Sequence, residues 1–417
     1  MSIRAVPFDD ISAEHIGRLV QNEVFEDRTL EYKAALELET RDQRAEFLKD
    51  VSGFANGQGG TIVYGVREGE GDAKGRAIET VPMSLRPDAT HQLIDEILRD
   101  GIDERIPGVL HKAVACEGGK FFYVVRIPPS PLAPHMVSFG QLRYRFYSRQ
   151  NATTQPMNAS EIKATALRAT SAFDRASSEI STRVGLAVDR ATRRRFAIGA
   201  DENTPSNQAL LHVVPLFPLE DPWELATASL EQRLGSVRAF GAEHAYGSPP
   251  RYTQDGLYNI NEGMRHVAFL RSGAIEFQTY DVLHRHEQGE VFRFYAWILE
   301  QDIIQALESC VGLTADGLLP FPLMIQVTLL EVSGSVLHGH PTGRPDPQRP
   351  IEDERVTVGP YLLNAWGEPA IELSRKLFNE IWQSWGIAQS RNYEQDGTRR
   401  WYTQAGERVR SRPVILS

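Results

Sequence analysis

The amino-acid sequence predicts an α+β fold in two folded units, because helix-like and strand-like patterns are mixed in both halves of the chain. A length of 417 residues is enough for two domains with sizeable cores. The composition, 41% hydrophobic and 24% charged, is that of a folded protein and not of a disordered one. We place a first domain at residues 1–170, a helical linker at 171–199 and a second α+β domain of unknown role at 200–417.

A strand–helix–strand unit is predicted near the N-terminus. Thr29 to Lys33 alternates as a strand does, and Arg41 to Asn56 carries apolar residues at the spacings of an amphipathic helix. Gly59 and Gly60 supply a tight turn, after which Thr61 to Val66 has the apolar character of a buried strand. A short helix, from Ala13 to about Val24 and capped by Ser12, precedes this unit.

The first strand carries a charge pattern that points to chemistry. Alternation puts Leu30 and Tyr32 on one face, and Glu31 and Lys33 on the other. In a metal-dependent nuclease the carboxylate binds a hard divalent cation, and the ammonium holds the attacking water or the scissile phosphate. A solvated face of an edge strand also carries opposite charges for solubility, and this pattern alone favours that interpretation over a nuclease site.

Two further carboxylates flank this strand–helix–strand unit. Glu26 lies in the segment before the first strand, and Glu68 follows the second strand. The unit can bring Glu31 and Glu68 onto neighbouring strands, with Glu26 reaching in from the loop.

The remainder of the first domain is predicted as a helix, a hairpin and a basic strand. The helix runs from Asp88 to about Arg99, and the hairpin joins Val109–Ala115 to Phe121–Ile127. The strand from Gly140 to Ser148, followed by an arginine, is the most basic and aromatic of the chain.

The arginines of this basic strand are candidates for phosphate contact. They are Arg143, Arg145 and Arg149. An equally weighted alternative is that they pair with the protein's surplus of acidic residues.

The charge and the cysteine content limit the function classes. With 45 basic and 55 acidic residues the net charge is −10, which argues against a generally basic nucleic-acid coat but not against a local basic groove.

The chain has two cysteines, which lie far apart in the sequence. They give no disulfide framework and no cysteine zinc site, which favours a reducing cytoplasm. No apolar run approaches the length of a membrane span, and no phosphate-binding loop of the G-x-x-x-x-G-K-[ST] type supports a nucleotide cofactor.

Three ordered motifs carry a resemblance to a known family. They are Glu26-x4-Glu31-Tyr-Lys33, Phe54-Ala-Asn56-Gly-x-Gly59-Gly60-Thr-Ile-Val-x-Gly65-Val66, and Tyr147-Ser-Arg149-x4-Thr154-x-Pro156-Met157. Over roughly residues 10–170 the chain resembles the Schlafen AlbA-type domain of bacterial, archaeal and vertebrate proteins. Nuclease members use a carboxylate trio, which falls here on Glu26, Glu31 and Glu68; the third member is usually Asp, so Glu68 is a departure.

The resemblance implies a nucleic-acid-processing protein. Our leading hypothesis is a Mg²⁺- or Mn²⁺-dependent endonuclease for structured RNA such as tRNA, with a role in bacterial antiviral defence or stress response. Glu26, Glu31 and Glu68 would bind the metal, and Lys33 would position water or stabilise the charge that develops on the phosphorane. The alternatives are a non-catalytic DNA-binding regulator or sensor, and an assembly module whose second domain forms a homo-oligomer.

The second domain shows a mixture of strands and helices without a recognisable active-site motif. We predict a strand at Leu210–Leu216, helices at Pro222–Leu234 and Val291–Leu313, and a closing helix at Ala370–Trp385. A hairpin joins 266–270 to 274–279.

Overall fold

The chain folds into two compact units. The computed structural model describes residues 3, 6, 8–197, 207–217, 235, 237, 240, 251–261, 265–280, 282–285, 292–315, 318–339, 350–394, 396–402, 408–414 and 416. One unit contains Met1–Phe173, and the other contains Asp174–Thr314 with Leu318–Ser417. Both combine helices with strands, which confirms the α+β class.

The first unit is built on a four-stranded sheet. Its elements are α1 (Ala13–Gln21), β1 (Leu30–Lys33), α2 (Arg41–Ala55), β2 (Gly60–Tyr64), β3 (Val66–Glu68), β4 (Ala77–Thr80), α3 (Pro87–Gly101), β5 (Ile102–Asp103), β6 (Leu110–Ala115), β7 (Phe121–Ile127), β8 (Met136–Val137), β9 (Arg145–Gln150) and β10 (Thr153–Pro156). The strand order is β1-β2-β7-β6, with β1 parallel to β2 and the other pairs antiparallel. The predicted strand–helix–strand unit and the predicted hairpin of β6 and β7 are confirmed.

Both faces of this sheet are buried, because helices cover each of them. Leu30 and Tyr32 belong to the apolar cluster that includes Ile16 of α1. On the opposite face Ile62 packs in the cluster that includes Phe54 of α2. The predicted division of β1 into two faces is therefore correct, but Glu31 on the second face is buried and not solvated.

Gly65 separates β2 from β3. It adopts a φ of 95°, and a Cβ atom there would come within 2.8 Å of the Phe122 ring, so only glycine fits without strain. Beyond this kink, β3 pairs with β4 and no longer with the central sheet. The single strand predicted for Thr61–Val66 is thus two strands, and Glu68 is carried away from the central sheet.

A second small sheet, of order β10-β9-β8-β5, is linked to α2 by a buried amide. Asn56 donates to the carbonyls of His135 (3.0 Å) and Tyr147 (2.9 Å), and it accepts from the His135 N–H at 2.6 Å. The strand predicted from residue 140 begins only at residue 145. Gly140 and Tyr144 interrupt it, since both have left-handed φ values of 64° and 65°.

One long helix, α4 (Ala159–Ala197), contains the boundary between the two units. The helical linker predicted at 171–199 overlaps this continuous 39-residue helix, which begins earlier, at Ala159. Its buried small and branched residues recur every three or four positions, as at Ala176, Ile180 and Val184, which explains the unbroken helix.

The second unit is built on a seven-stranded sheet of order β12-β13-β14-β15-β11-β18-β20. Its elements are β11 (Gln208–Pro215), β12 (Arg251–Tyr252), β13 (Gly256–Asn261), β14 (Arg265–Leu270), β15 (Ile275–Tyr280), β16 (Leu283–Arg285), β17 (Phe292–Tyr295), α5 (Ala296–Ala315), β18 (Leu323–Leu330), β19 (Val336–His338), β20 (Arg355–Leu363), α6 (Glu368–Ser384), β21 (Arg399–Tyr402) and β22 (Arg408–Arg412). The predicted hairpin of β14 and β15 is confirmed. The helix predicted at Pro222–Leu234 lies outside the described residues.

A buried carboxylate organises the polar interior of this second unit. Glu276 is fully buried on β15, where Arg183 and Arg190 of α4 form ion pairs with it at 3.0 and 2.8 Å. His212 and His266 also lie within hydrogen-bond distance of its oxygens, at 3.3 and 3.0 Å. These contacts hold the pKa of Glu276 well below its usual value against the opposing effect of burial.

Within the described ranges, no helix is both long enough and apolar enough to span a membrane.

Candidate functional site

Glu31 on β1 is the centre of a buried ion-pair network in the first unit. Its Oε1 lies 2.8 Å from Nζ of Lys33, and its Oε2 accepts a hydrogen bond of 2.5 Å from NH1 of Arg149. Glu31 is only 7% exposed. The interpretation of Glu31 as part of a solvated edge face is therefore wrong.

Arg149 is inside the protein and not on its surface. Besides its bond to Glu31, it donates from Nε to the carbonyl of Asp27 and from NH2 to the carbonyl of Leu30, both at 3.2 Å. Its guanidinium also lies 4.5 Å from the centre of the Phe54 ring. Because its donors are used by the protein and its side chain is 1% exposed, this burial argues against the phosphate contact predicted for Arg149.

Asp50 of α2 belongs to the same network, although the sequence did not suggest it. Its Oδ2 lies 3.2 Å from Nζ of Lys33, and the residue is buried. Burial and the neighbouring Glu31 raise the pKa of Asp50 to about 6. A signal was present in the sequence, since Asp50 lies within the apolar stripe that contains Phe47 and Phe54.

Lys33 connects this network with solvent. Its side chain is 40% exposed, whereas those of its partners Glu31 and Asp50 are nearly buried. Burial lowers the pKa of Lys33, but the two carboxylates outweigh that effect and raise it above the ordinary value. The ammonium is therefore charged at neutral pH and available to an anion.

Glu26 lies in the loop before β1, and both its backbone and its side chain are held by hydrogen bonds. Its N–H donates to the carbonyl of Gly75 at 2.6 Å, and its Oε1 accepts from the N–H of Tyr32 at 2.7 Å. Burial, together with the charges of Glu68 and Glu31, raises the pKa of Glu26 to about 7 against the hydrogen bond from Tyr32, which lowers it. The charges of Glu68 and Glu31 thus both act on Glu26.

Glu68 is the exposed member of the predicted trio. It has no basic side chain within 4.0 Å among the described residues. Taking one oxygen from each residue, the three glutamates do not all come within 4.8 Å of one another in the described part of the chain. Among the described residues no basic side chain lies within 4.0 Å of Glu26 or Glu68, whereas both oxygens of Glu31 contact the cationic side chains of Lys33 and Arg149.

Arg143 and Arg145 form an exposed basic surface with Tyr144. The side chain of Tyr144 is 67% exposed, and the guanidinium of Arg143 lies 4.8 Å from the centre of its ring. Among the residues that the structure describes, neither arginine has a carboxylate within 4.0 Å. Pairing with acidic residues thus explains Arg149 but not these two arginines.

Comparison with known proteins identifies the domain that carries this site. Residues 26–158 match the family model described as Schlafen, AlbA_2. This segment is a Schlafen AlbA_2 domain. The family connects the chain with nucleic-acid-related function. The match includes Glu26, Glu31, Lys33, Glu68 and the exposed arginines, and the second unit lies outside it.

The other comparisons add little to this assignment. No curated protein matches the chain. Among solved structures, the DIP2311 protein from Corynebacterium diphtheriae is 17% identical, with 34% of this chain and 29% of that chain covered, at a TM-score of 0.23. This chain thus spans less than a third of the length of that protein.

The glycines of the AlbA_2 motif are explained by packing. Gly59 has a φ of 71°, and a Cβ atom there would lie 2.6 Å from the carbonyl of Ile127. At Gly60 a Cβ atom would lie 2.5 Å from the ring of Phe54. The absence of side chains lets the turn pass between α2 and β7, which places β1 and β2 side by side.

Proposed function

We propose that the AlbA_2 domain is a divalent-metal-dependent endonuclease that acts on structured RNA such as tRNA. The observation that carries this proposal is the grouping of carboxylates at β1: Glu26 contacts the backbone of Tyr32 next to Glu31, and burial, with a smaller effect of the charges of Glu68 and Glu31, raises the pKa of Glu26 to about 7. Carboxylates that repel one another are stabilised by a divalent cation, and oxygen ligands are those that Mg²⁺ and Mn²⁺ prefer.

The residues divide into those that hold a metal and those that hold phosphate. Glu26 and Glu68 would bind Mg²⁺ or Mn²⁺, with Glu31 as a third ligand if it releases one of its cationic partners. A bound ion of this kind polarises a phosphoryl oxygen and activates water. Lys33 stabilises charge on the scissile phosphate, since its ammonium is fixed by Asp50 and Glu31 yet 40% exposed.

The exposed surface of Arg143, Tyr144 and Arg145 would hold the substrate. The two guanidinium groups suit phosphates, and an exposed aromatic ring suits an unstacked base.

The preference for RNA over DNA and a role in antiviral defence or stress response rest on the family resemblance. A cytoplasmic location agrees with two free cysteines, Cys116 and Cys310. A homo-oligomer is a further proposal, which the molar mass in solution tests.

A second candidate function is a non-catalytic DNA-binding regulator or sensor. The pairing of Glu31 favours this function, because both oxygens of its carboxylate already contact cationic side chains and neither is free for a metal. In that case the network stabilises the domain, and only the exposed arginines contact nucleic acid.

Incubation with nucleic acids separates the two functions. Full-length protein is mixed with labelled tRNA, single-stranded DNA and double-stranded DNA, each with Mn²⁺, with Mg²⁺ or with EDTA. The nuclease proposal predicts cleavage of tRNA that requires the metal. Binding without cleavage under every condition would contradict it and support the regulator.

A further inference from the structure

A second group of polar side chains lies at the other edge of the central sheet. His91 and Asp95 are separated by four positions on α3, so both project from the same side of that helix. His111 lies on β6, the edge strand opposite to β1. One ligand atom of each residue lies within 4.8 Å of the others, which no other such group does in the described part of the chain.

We propose that His91, Asp95 and His111 form a binding site for a divalent transition metal of the Zn²⁺ class. Imidazole nitrogen and carboxylate oxygen are ligands that Zn²⁺ accepts, and three protein ligands are the set of a zinc site with an open position. The site is independent of the proposed nuclease centre, because the residues, the sheet edge and the preferred metal all differ.

The distances between the ligand atoms fit a metal ion. Nε2 of His111 lies 3.0 Å from Oδ1 of Asp95, and Nε2 of His91 lies 3.6 Å from Oδ2 of Asp95. In a tetrahedral zinc site with bonds of about 2.1 Å, neighbouring ligand atoms are about 3.4 Å apart. Small movements of the two helix side chains would therefore accommodate the ion.

His111 is fixed by a partner that metal-binding histidines require. Its Nδ1 lies 2.8 Å from the hydroxyl of Tyr123, which leaves Nε2 facing Asp95. The ring of His111 is buried, while the side chains of His91 and Asp95 are more than half exposed, at 52% and 57%. The site thus has one rigid ligand and an opening through which a metal enters from solvent.

Zinc titration of full-length protein tests this inference. Metal-free protein is titrated with Zn²⁺ in excess Mg²⁺, which occupies sites made only of carboxylates. We expect a single Zn²⁺ per chain, and at least about tenfold weaker binding in His91→Ala and in Asp95→Asn. Tyr123→Phe, which removes a positioning residue, should weaken binding by about tenfold or more without removing a ligand.

Glu96→Gln is the matched control, because it removes the same charge from the neighbouring exposed position of α3. His91 and Asp95 are exposed, so their variants keep the fold. The inference is overturned if Zn²⁺ does not bind, or if Asp95→Asn and Glu96→Gln bind it equally. Neither result affects the nuclease proposal, and zinc binding in Glu68→Gln should equal that of the parent protein.

Discussion

Arg149 on β9 and Glu31 on β1 form a buried ion pair across 118 positions of sequence, with 2.5 Å between NH1 and Oε2. The pair connects the small sheet of the AlbA_2 domain to its central sheet. It also joins the first and the last of the motifs by which the domain resembles its family. Both residues therefore have a structural role, whatever chemistry the site performs.

Loss of the Arg149 side chain should destabilise the AlbA_2 domain. We expect Arg149→Met to lower the free energy of unfolding by about 3–5 kcal/mol, because it leaves Glu31 buried with one cation fewer. Urea unfolding followed by circular dichroism measures the change. Arg145→Met, at an exposed position of the same strand, should change it by no more than about 0.5 kcal/mol. Equal effects of the two substitutions would contradict a structural role for the buried pair.

The stability of the AlbA_2 domain should fall as the pH rises from about 4.5 to about 7. Burial raises the pKa of Glu26 from 4.5 to about 7, so between these values the folded state holds a proton that the unfolded state has lost. This contribution is complete below about pH 4.5 and disappears as the pH rises through about 7. Asp50, with a pKa raised to about 6, acts in the same direction.

Urea unfolding at several pH values checks this dependence. Glu26→Gln should flatten the decline between about pH 5 and 7, leaving the part that Asp50 contributes, whereas Glu70→Gln at an exposed position should not. Millimolar Mg²⁺ at pH 8 should restore stability to the parent protein more than to Glu26→Gln. A parent protein whose stability is constant over this range would refute the raised pKa of Glu26.

The exposed basic surface should contribute to affinity for RNA. Tyr144→Ala should weaken binding by about 1–3 kcal/mol if a base stacks on the ring. Arg145→Gln should reduce the slope of log K against log salt by about 0.7–0.9, the value of one phosphate contact. Fluorescence anisotropy with labelled RNA over a salt series measures both. Lys120→Gln, which removes an exposed charge from the β6–β7 hairpin, is the control. If Arg145→Gln and Lys120→Gln changed the slope equally, the exposed basic surface would not be a specific RNA contact.

Local sequence patterns predicted the elements of the AlbA_2 domain but not the partners of its charged side chains. Alternation in β1 correctly separated Leu30 from Glu31, since it depends only on strand geometry. The position of Arg149 depends on how β9 approaches β1, a long-range contact that no spacing reveals. Gly65 shows the same limit: its apolar neighbours indicated one strand, while its positive φ divides that strand in two.

Long-range contacts also explain which site residues were missed. Asp50 stands in an apolar helical stripe, which is a visible signal, but its partner Lys33 comes from a different element. The helical spacing of His91 and Asp95 is visible in the sequence. His111 joins them only because β6 lies beside α3, which the sequence does not show.

The most direct test of the proposed nuclease compares Glu68→Gln with Glu70→Gln. Glu68 is exposed and without an ion pair among the described residues, so its substitution leaves the buried network intact. Glu31→Gln, in contrast, would disrupt the ion pairs with Lys33 and Arg149. Both proteins are assayed for Mn²⁺-dependent cleavage of labelled tRNA and for binding of the same RNA in EDTA. Our account predicts that Glu68→Gln binds normally and fails to cleave, while Glu70→Gln does both. Cleavage by Glu68→Gln at the rate of the parent protein would contradict the account.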